Sequence, residues 1–102
     1  MILEHALLHI RPGEGAVFEA ALRQAAPLIA ASPGFQGMEV RPSLETADLY
    51  LLLVRWRSVA DHDPGFRGSE RYAAWKELLH RFYTPFPQVG HFGEPVVSAD
   101  GA

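Results

Sequence analysis

The sequence predicts an α+β fold with elements in the order β-α-β-β-α-β and an antiparallel sheet. Three observations carry this: four short β-like runs, two stretches with apolar residues at helical spacing, and Pro- and Gly-containing turns between them. Residues 2–11 are too short for an independent helix before Pro12-Gly13, and Ile2, Ala6, Leu8 and Ile10 share one alternating face, so they form the first strand. From Glu14 to Ala31, Val17, Phe18, Ala21, Leu22, Ala25, Leu28 and Ile29 recur at the three-and-four spacing of one helical face. Pro27 removes a backbone donor inside that helix, which predicts a kink or an early end near Ala26, and Ser32-Pro33-Gly34 stops the chain.

Residues 36–43 and 48–57 are two β-like runs separated by Leu44-Glu45-Thr46-Ala47, a hairpin pattern. The first alternates and carries Pro42, which marks an edge or a bulge; the second is apolar on both faces from Leu49 to Val54, as expected of a strand covered on both sides. Ser58 and Asp61 are spaced like a capping box at the start of a short helix that breaks near Pro64-Gly65. Gly68 or Ser69 caps the next helix, over residues 70–83, in which Tyr72, Trp75, Leu78, Leu79 and Phe82 form one stripe. Pro85-Phe86-Pro87 ends it, and residues 88–97 read as a weakly alternating final strand. The order is the split-βαβ, ferredoxin-like arrangement. Residues 1–97 are expected to form one domain and 98–102 a flexible tail.

Composition narrows the function classes. With 102 residues, 48% hydrophobic and 21% charged, the chain is neither disordered nor collagen-like, and no run approaches the roughly 18–20 apolar residues of a membrane span. The absence of cysteine excludes disulfides, thiol nucleophiles, thiolate metal sites and iron–sulfur clusters. A net charge of −3 with interleaved signs gives no basic stripe for phosphates, so neither nucleic acid nor membrane is an expected partner. The segment Met1-Ile2-Leu3-Glu4-His5 lacks a signal-peptide pattern, which makes the cytoplasm the expected location. A chain of this size buries only about 65% of its unfolded surface, so a second copy covering an exposed sheet face is expected: a homodimer.

Among the five histidines, His5 and His9 share a strand face but lie about 13 Å apart along it, too far for one metal ion. No His-Glu-x-x-His or similar spacing occurs, so no metal site is expected, and His80 reads as a solvated helix residue. His62 precedes the break at Asp63-Pro64-Gly65-Phe66, where a cavity can open beside the sheet; local capping is an equal reading. Glu4 interrupts the apolar face of the first strand, which places it at the sheet rim, the favoured reading, or makes it a desolvated acid/base with a raised pKa. The aromatic residues of the C-terminal half either pack the core or line a cavity for a flat hydrophobic molecule. Ser69 lacks the context of a hydrolase nucleophile, and Gly13-Glu14-Gly15 fits no nucleotide-binding pattern.

The opening strand ending in Arg11-Pro12-Gly13, the lead into the second strand Gly34-Phe35-Gln36-Gly37-Met38, and Val54-Arg55-Trp56-Arg57-Ser58 leading into His62, Phe66, Ser69 and Trp75 together resemble the antibiotic biosynthesis monooxygenase (ABM) superfamily. The resemblance covers about residues 1–97 and implies a dimeric α+β barrel, with two sheets packed face to face and a pocket between sheet and helices in each subunit. It argues against the haem-degrading branch, which depends on a first-strand Asn; this chain contains no Asn. In the cofactor-independent monooxygenases the implied mechanism is deprotonation of a phenolic substrate, electron transfer to O2 and collapse to a hydroperoxide that loses water. That mechanism requires no cofactor, only a base, a dry aromatic pocket and hydrogen bonds to the oxyanion. The resemblance casts His62 or Glu4 as the base, and Trp56, Phe66, Ser69, Tyr72, Trp75 and Phe82 as the substrate pocket for a small aromatic molecule. Two other readings stay open: a noncatalytic homodimeric small-molecule-binding or stress-associated domain, and an isomerase or dehydratase using the same base without O2.

Overall fold

Four strands, β1 (Ile2–His9), β2 (Phe35–Pro42), β3 (Leu49–Trp56) and β4 (Val89–Phe92), form one antiparallel sheet in the order β2-β3-β1-β4, in a computed structural model that describes residues 1–101. The helices α1 (Gly15–Ala30) and α2 (Glu70–Leu79) complete the predicted β-α-β-β-α-β order. Period-two burial places Tyr50, Leu52, Val54 and Trp56 of β3 inward, beside Ala6 and Leu8 of β1, where they meet Phe18, Ala21, Ala25 and Ile29 of α1 and Trp75 and Leu79 of α2. That apolar layer between sheet and helices is the core.

The register explains which side chains share the inner face. Glu4 stands opposite Val54 on β3 and His91 on β4, while Ile2 stands opposite Trp56. On the other face Leu7 pairs with Leu51 and His5 with Leu53. Leu49, Leu51 and Leu53 are half-buried there, and Leu7 and Phe92 are 45% and 55% exposed, so no described element of the chain covers this side of the sheet.

Several boundaries differ from the sequence expectation, among them the end of the second helix, expected over 70–83, which stops at Leu79 and passes into a 3-10 turn at His80–Phe82. Helix α1 does not end near Ala26: it continues through Pro27 to Ala30, because Pro27 and Arg23, whose carbonyl loses its donor, both lie on the exposed face while Ala25 and Ile29 stay buried. The final strand is not 88–97 but only Val89–Phe92; β1 has few residues left beyond Leu3, the partner of Phe92, and Pro95 has no N–H for a ladder. The predicted helical break near Pro64-Gly65 falls at Asp63, whose φ of −137° and ψ of 109° interrupt the turn Asp61–Phe66. Residues 98–101 are exposed and carry no helix or strand; the last residue of the expected tail, Ala102, lies outside the described residues. No helix among the described residues is long and apolar enough to cross a membrane.

Candidate active site

Glu4 occupies the inner face of β1 and is only 5% exposed, so the rim placement favoured by the sequence is corrected: Ala6 and Leu8 continue the same face inward and carry it under the helices. A buried carboxyl requires a hydrogen-bond partner. Trp56, at the end of β3, supplies one by donating its indole N–H to Glu4 Oε1 at 2.9 Å. Burial pushes the Glu4 carboxyl above its ordinary range, against the opposing effects of the Trp56 hydrogen bond and the nearby Arg67 guanidinium.

His62 reaches the same carboxyl from the turn Asp61–Phe66, with its Nε2 3.3 Å from Glu4 Oε1, and is 4% exposed. The local sequence fixes that turn. Asp61 N–H donates to Ser58 Oγ at 3.2 Å, the Ser58 hydroxyl donates to the Asp61 carboxylate at 3.0 Å, and Arg57 clamps the same carboxylate at 2.7 and 2.9 Å. The capping pair read from the sequence is therefore present, and it delivers the next residue, His62, inward. The ring stacks on Trp56, with centroids 5.4 Å apart and planes at 23°. Burial, His91 and Arg67 push its pKa down to about 4, against a smaller opposing effect of Asp63, so the ring is neutral at neutral pH and its close contact with Glu4 is not an ion pair.

The second ring nitrogen is engaged as well. His62 Nδ1 and His91 Nε2 share a hydrogen bond of 2.7 Å, and His91, on edge strand β4, is exposed. A row of close polar contacts thus runs from a buried carboxyl past both nitrogens of one imidazole, the first a 3.3 Å approach and the second a hydrogen bond, to a histidine in contact with solvent. Sequence reasoning missed His91, because its place beside Glu4 depends on the β1–β4 register; the only signal was that His91 shares the parity of Val89 in a weakly alternating segment.

Glu4 and His62 line a cavity of about 40 Å³ together with Phe66, Arg67, Tyr72 and Trp75. Its far wall includes His80, Tyr83 and Phe86, the last in a stretch without helix or strand. This volume holds water but not an aromatic ring. Arg67 lies over the Tyr72 ring at 5.4 Å, placing a cation beside the carboxyl-lined space. Of the sequence-predicted pocket residues, Phe66, Tyr72 and Trp75 line this cavity. Trp56 is fully buried behind Glu4 and His62, Phe82 packs against Phe18 with centroids 5.6 Å apart, and Ser69 caps α2 by accepting from Tyr72 N–H at 3.3 Å. His5 lies on the opposite face of the sheet against Phe92. Among the described residues no cluster of three or more His, Cys, Asp or Glu side chains is placed to hold a metal ion.

Comparison with known proteins fits this architecture. The family model described as antibiotic biosynthesis monooxygenase matches residues 1–78. The uncharacterized protein YczJ of Bacillus subtilis (strain 168) is 51% identical over 92 residues, which is 90% of this chain and 97% of the relative. A crystal structure from Bordetella bronchiseptica, named for the same family, superposes with a TM-score of 0.88 at 34% identity, covering 93% of this chain and 97% of that one. SnoaB from Streptomyces nogalater, a cofactor-independent oxygenase solved as a mutant, superposes with a TM-score of 0.81 and covers 97% of each chain; at 14% identity that likeness concerns the fold alone.

Proposed function

The chain belongs to the antibiotic biosynthesis monooxygenase family, and from that premise we propose that it is a cofactor-independent monooxygenase of a planar phenolic, quinol or polyketide-like molecule, working as a cytoplasmic homodimer. The observation that carries this reading is the buried Glu4 carboxyl on the wall of an aromatic cavity, held by Trp56 and flanked by His62. A general base works best when its conjugate acid has a pKa near the working pH. Burial raises Glu4 toward that range and takes His62 away from it, so Glu4 is the proton acceptor and His62 its partner. Arg67, with the Tyr72 ring beneath it, favours the substrate anion that forms.

The reaction needs only O2 as co-reactant. The substrate anion transfers an electron to O2, the radical pair combines to a peroxide, and the peroxide takes up a proton and loses water. For an anthrone the balance is one CH2 group plus one O2 giving one C=O group plus one water. An aromatic ring exceeds the 40 Å³ of the cavity, so binding requires the wall to open. Phe86 of that wall is 56% exposed and lies outside every helix and strand, so no helix or strand ladder ties it in place.

The small volume also favours a second reading, a noncatalytic homodimeric binding or stress-associated domain. Purified protein mixed with an anthrone and hydroquinone panel in an oxygen electrode, without added cofactor, separates the two. Oxygenation predicts one O2 consumed per substrate and a loss of about 10²–10⁴-fold in Glu4→Gln. Binding without O2 uptake across the panel would sink the oxygenase reading.

A further inference from the structure

We infer that Glu4, His62 and His91 form a reversible proton relay, in which the exposed His91 holds the proton taken from the substrate until the peroxide needs it; this rests on the oxygenase reading above. His62 is suited to the task because its two ring nitrogens face different partners, Nε2 toward Glu4 Oε1 at 3.3 Å and Nδ1 toward His91 Nε2 at 2.7 Å. Stacking on Trp56 keeps the ring in that orientation. Among the described residues, no other joins the buried carboxyl to the β4 edge through both nitrogens of one ring.

The proton balance is simple. With the substrate proton on Glu4, His62 carries its hydrogen on Nδ1 and accepts at Nε2. The Glu4 proton moves to Nε2 as the Nδ1 hydrogen moves to His91 Nε2, leaving a Glu4 carboxylate, a neutral His62 in the other tautomer and an imidazolium at His91. The reverse movement returns one proton to Glu4, then to the peroxide, and restores both tautomers. No proton is gained or lost, in keeping with a reaction whose only products are the carbonyl compound and water. The advantage is separation: a proton left on Glu4 recombines with the substrate anion, whereas one held on β4 leaves that anion free to meet O2. Charged and titratable groups facing the relay are Arg67 and Asp63 from the 61–67 turn, Tyr72 from α2, and His80 and Tyr83 from the chain after it.

The first test needs no substrate. In full-length protein carrying 15N-histidine and 13C-glutamate, the His62 ring nitrogens and the Glu4 carboxyl carbon are followed by NMR as the pH is varied. The relay predicts that the His62 tautomer follows the place of the proton, Nδ1–H whenever Glu4 holds it and Nε2–H whenever His91 holds it. Protonation of Glu4 with an unchanged His62 tautomer overturns it. The second test uses anthrone in D2O without O2, where the wild type is expected to wash deuterium into the CH2 group faster than buffer does. His91→Phe is expected to slow this by about tenfold, with added imidazole restoring it. Equal exchange in wild type and His91→Phe overturns the relay while leaving the oxygenase reading intact. If the wild type gives no exchange above buffer, the oxygenase reading fails for this probe, and the NMR result alone decides whether the relay exists.

Discussion

Glu4 and His62 are moved by the same burial in opposite senses, because burial disfavours the charged form of each. Native Glu4 keeps its proton to higher pH than the unfolded chain, so its contribution to stability is present below pH 4.5 and is lost as the pH rises through its native pKa. Native His62, at about 4 rather than 6.5, gives a contribution that is present above pH 6.5 and is lost as the pH falls toward 4. As the pH rises from 4.5 through the range in which Glu4 loses its proton, the two slopes oppose each other. Glu4→Gln removes only the falling one, so the stability of the variant, from urea unfolding at a series of pH values, should rise more steeply with pH than that of the wild type. A parallel pair of curves would mean that Glu4 is not desolvated. The anomaly of a carboxylate on an apolar strand face was legible from the sequence. Its partners were not equally so: His62 stood beside a visible helix break, whereas His91 is brought to Glu4 by a strand register that no residue of the 88–97 segment specifies.

At the scale of elements, α2 depends on its first turn. Ser69 has extended backbone angles, φ −98° and ψ 163°; its hydroxyl donates to the Phe66 carbonyl at 2.6 Å and accepts from Tyr72 N–H. It thereby joins the turn that carries His62 to the helix that carries Tyr72 and Trp75. Ser69→Ala should lower the unfolding free energy by about 1 kcal/mol, read from urea melts, with the first-turn amides of α2 exchanging faster. A variant as stable as the wild type would show that the cap contributes nothing. The start of β2 is set with similar local specificity. Gly34 has φ +83°, and a Cβ there would run into the Asp61 carboxyl that Arg57 and Ser58 hold, so the same carboxyl that aims His62 also demands glycine at the end of the α1–β2 connection. The helices and three long strands were readable because hydrophobic periodicity specifies them. Pro27 and the length of β4 were misread because tertiary placement decides them: an exposed helical face tolerates the lost hydrogen bond, and a strand reaches no further than its neighbour.

At the scale of the whole molecule, the uncovered sheet face is the strongest unmet demand of the fold. Leu7, Leu49, Leu51, Leu53 and Phe92 lie on it, and the β1–β3 register sets Leu7 beside Leu51 near its middle. The sequence already carried this demand, since a strand apolar on both faces asks for cover on both. The proposed homodimer would meet it, since two identical apolar faces can pair across a twofold axis. Burying a fully exposed leucine contributes about 1.5–3 kcal/mol and these start half-buried, so the whole face rather than a few pairs must be covered to offset the cost of association. Sedimentation of the wild type should therefore give twice the mass of one chain. Leu51→Arg puts a charge at the middle of that face in both copies, where it would be buried unpaired. That variant should sediment as a single chain while keeping the wild-type circular dichroism, because the inner core of Trp56, Phe18 and Leu79 is untouched. A wild type that sediments as a monomer at micromolar concentration would refute the homodimer and leave the outer leucines exposed.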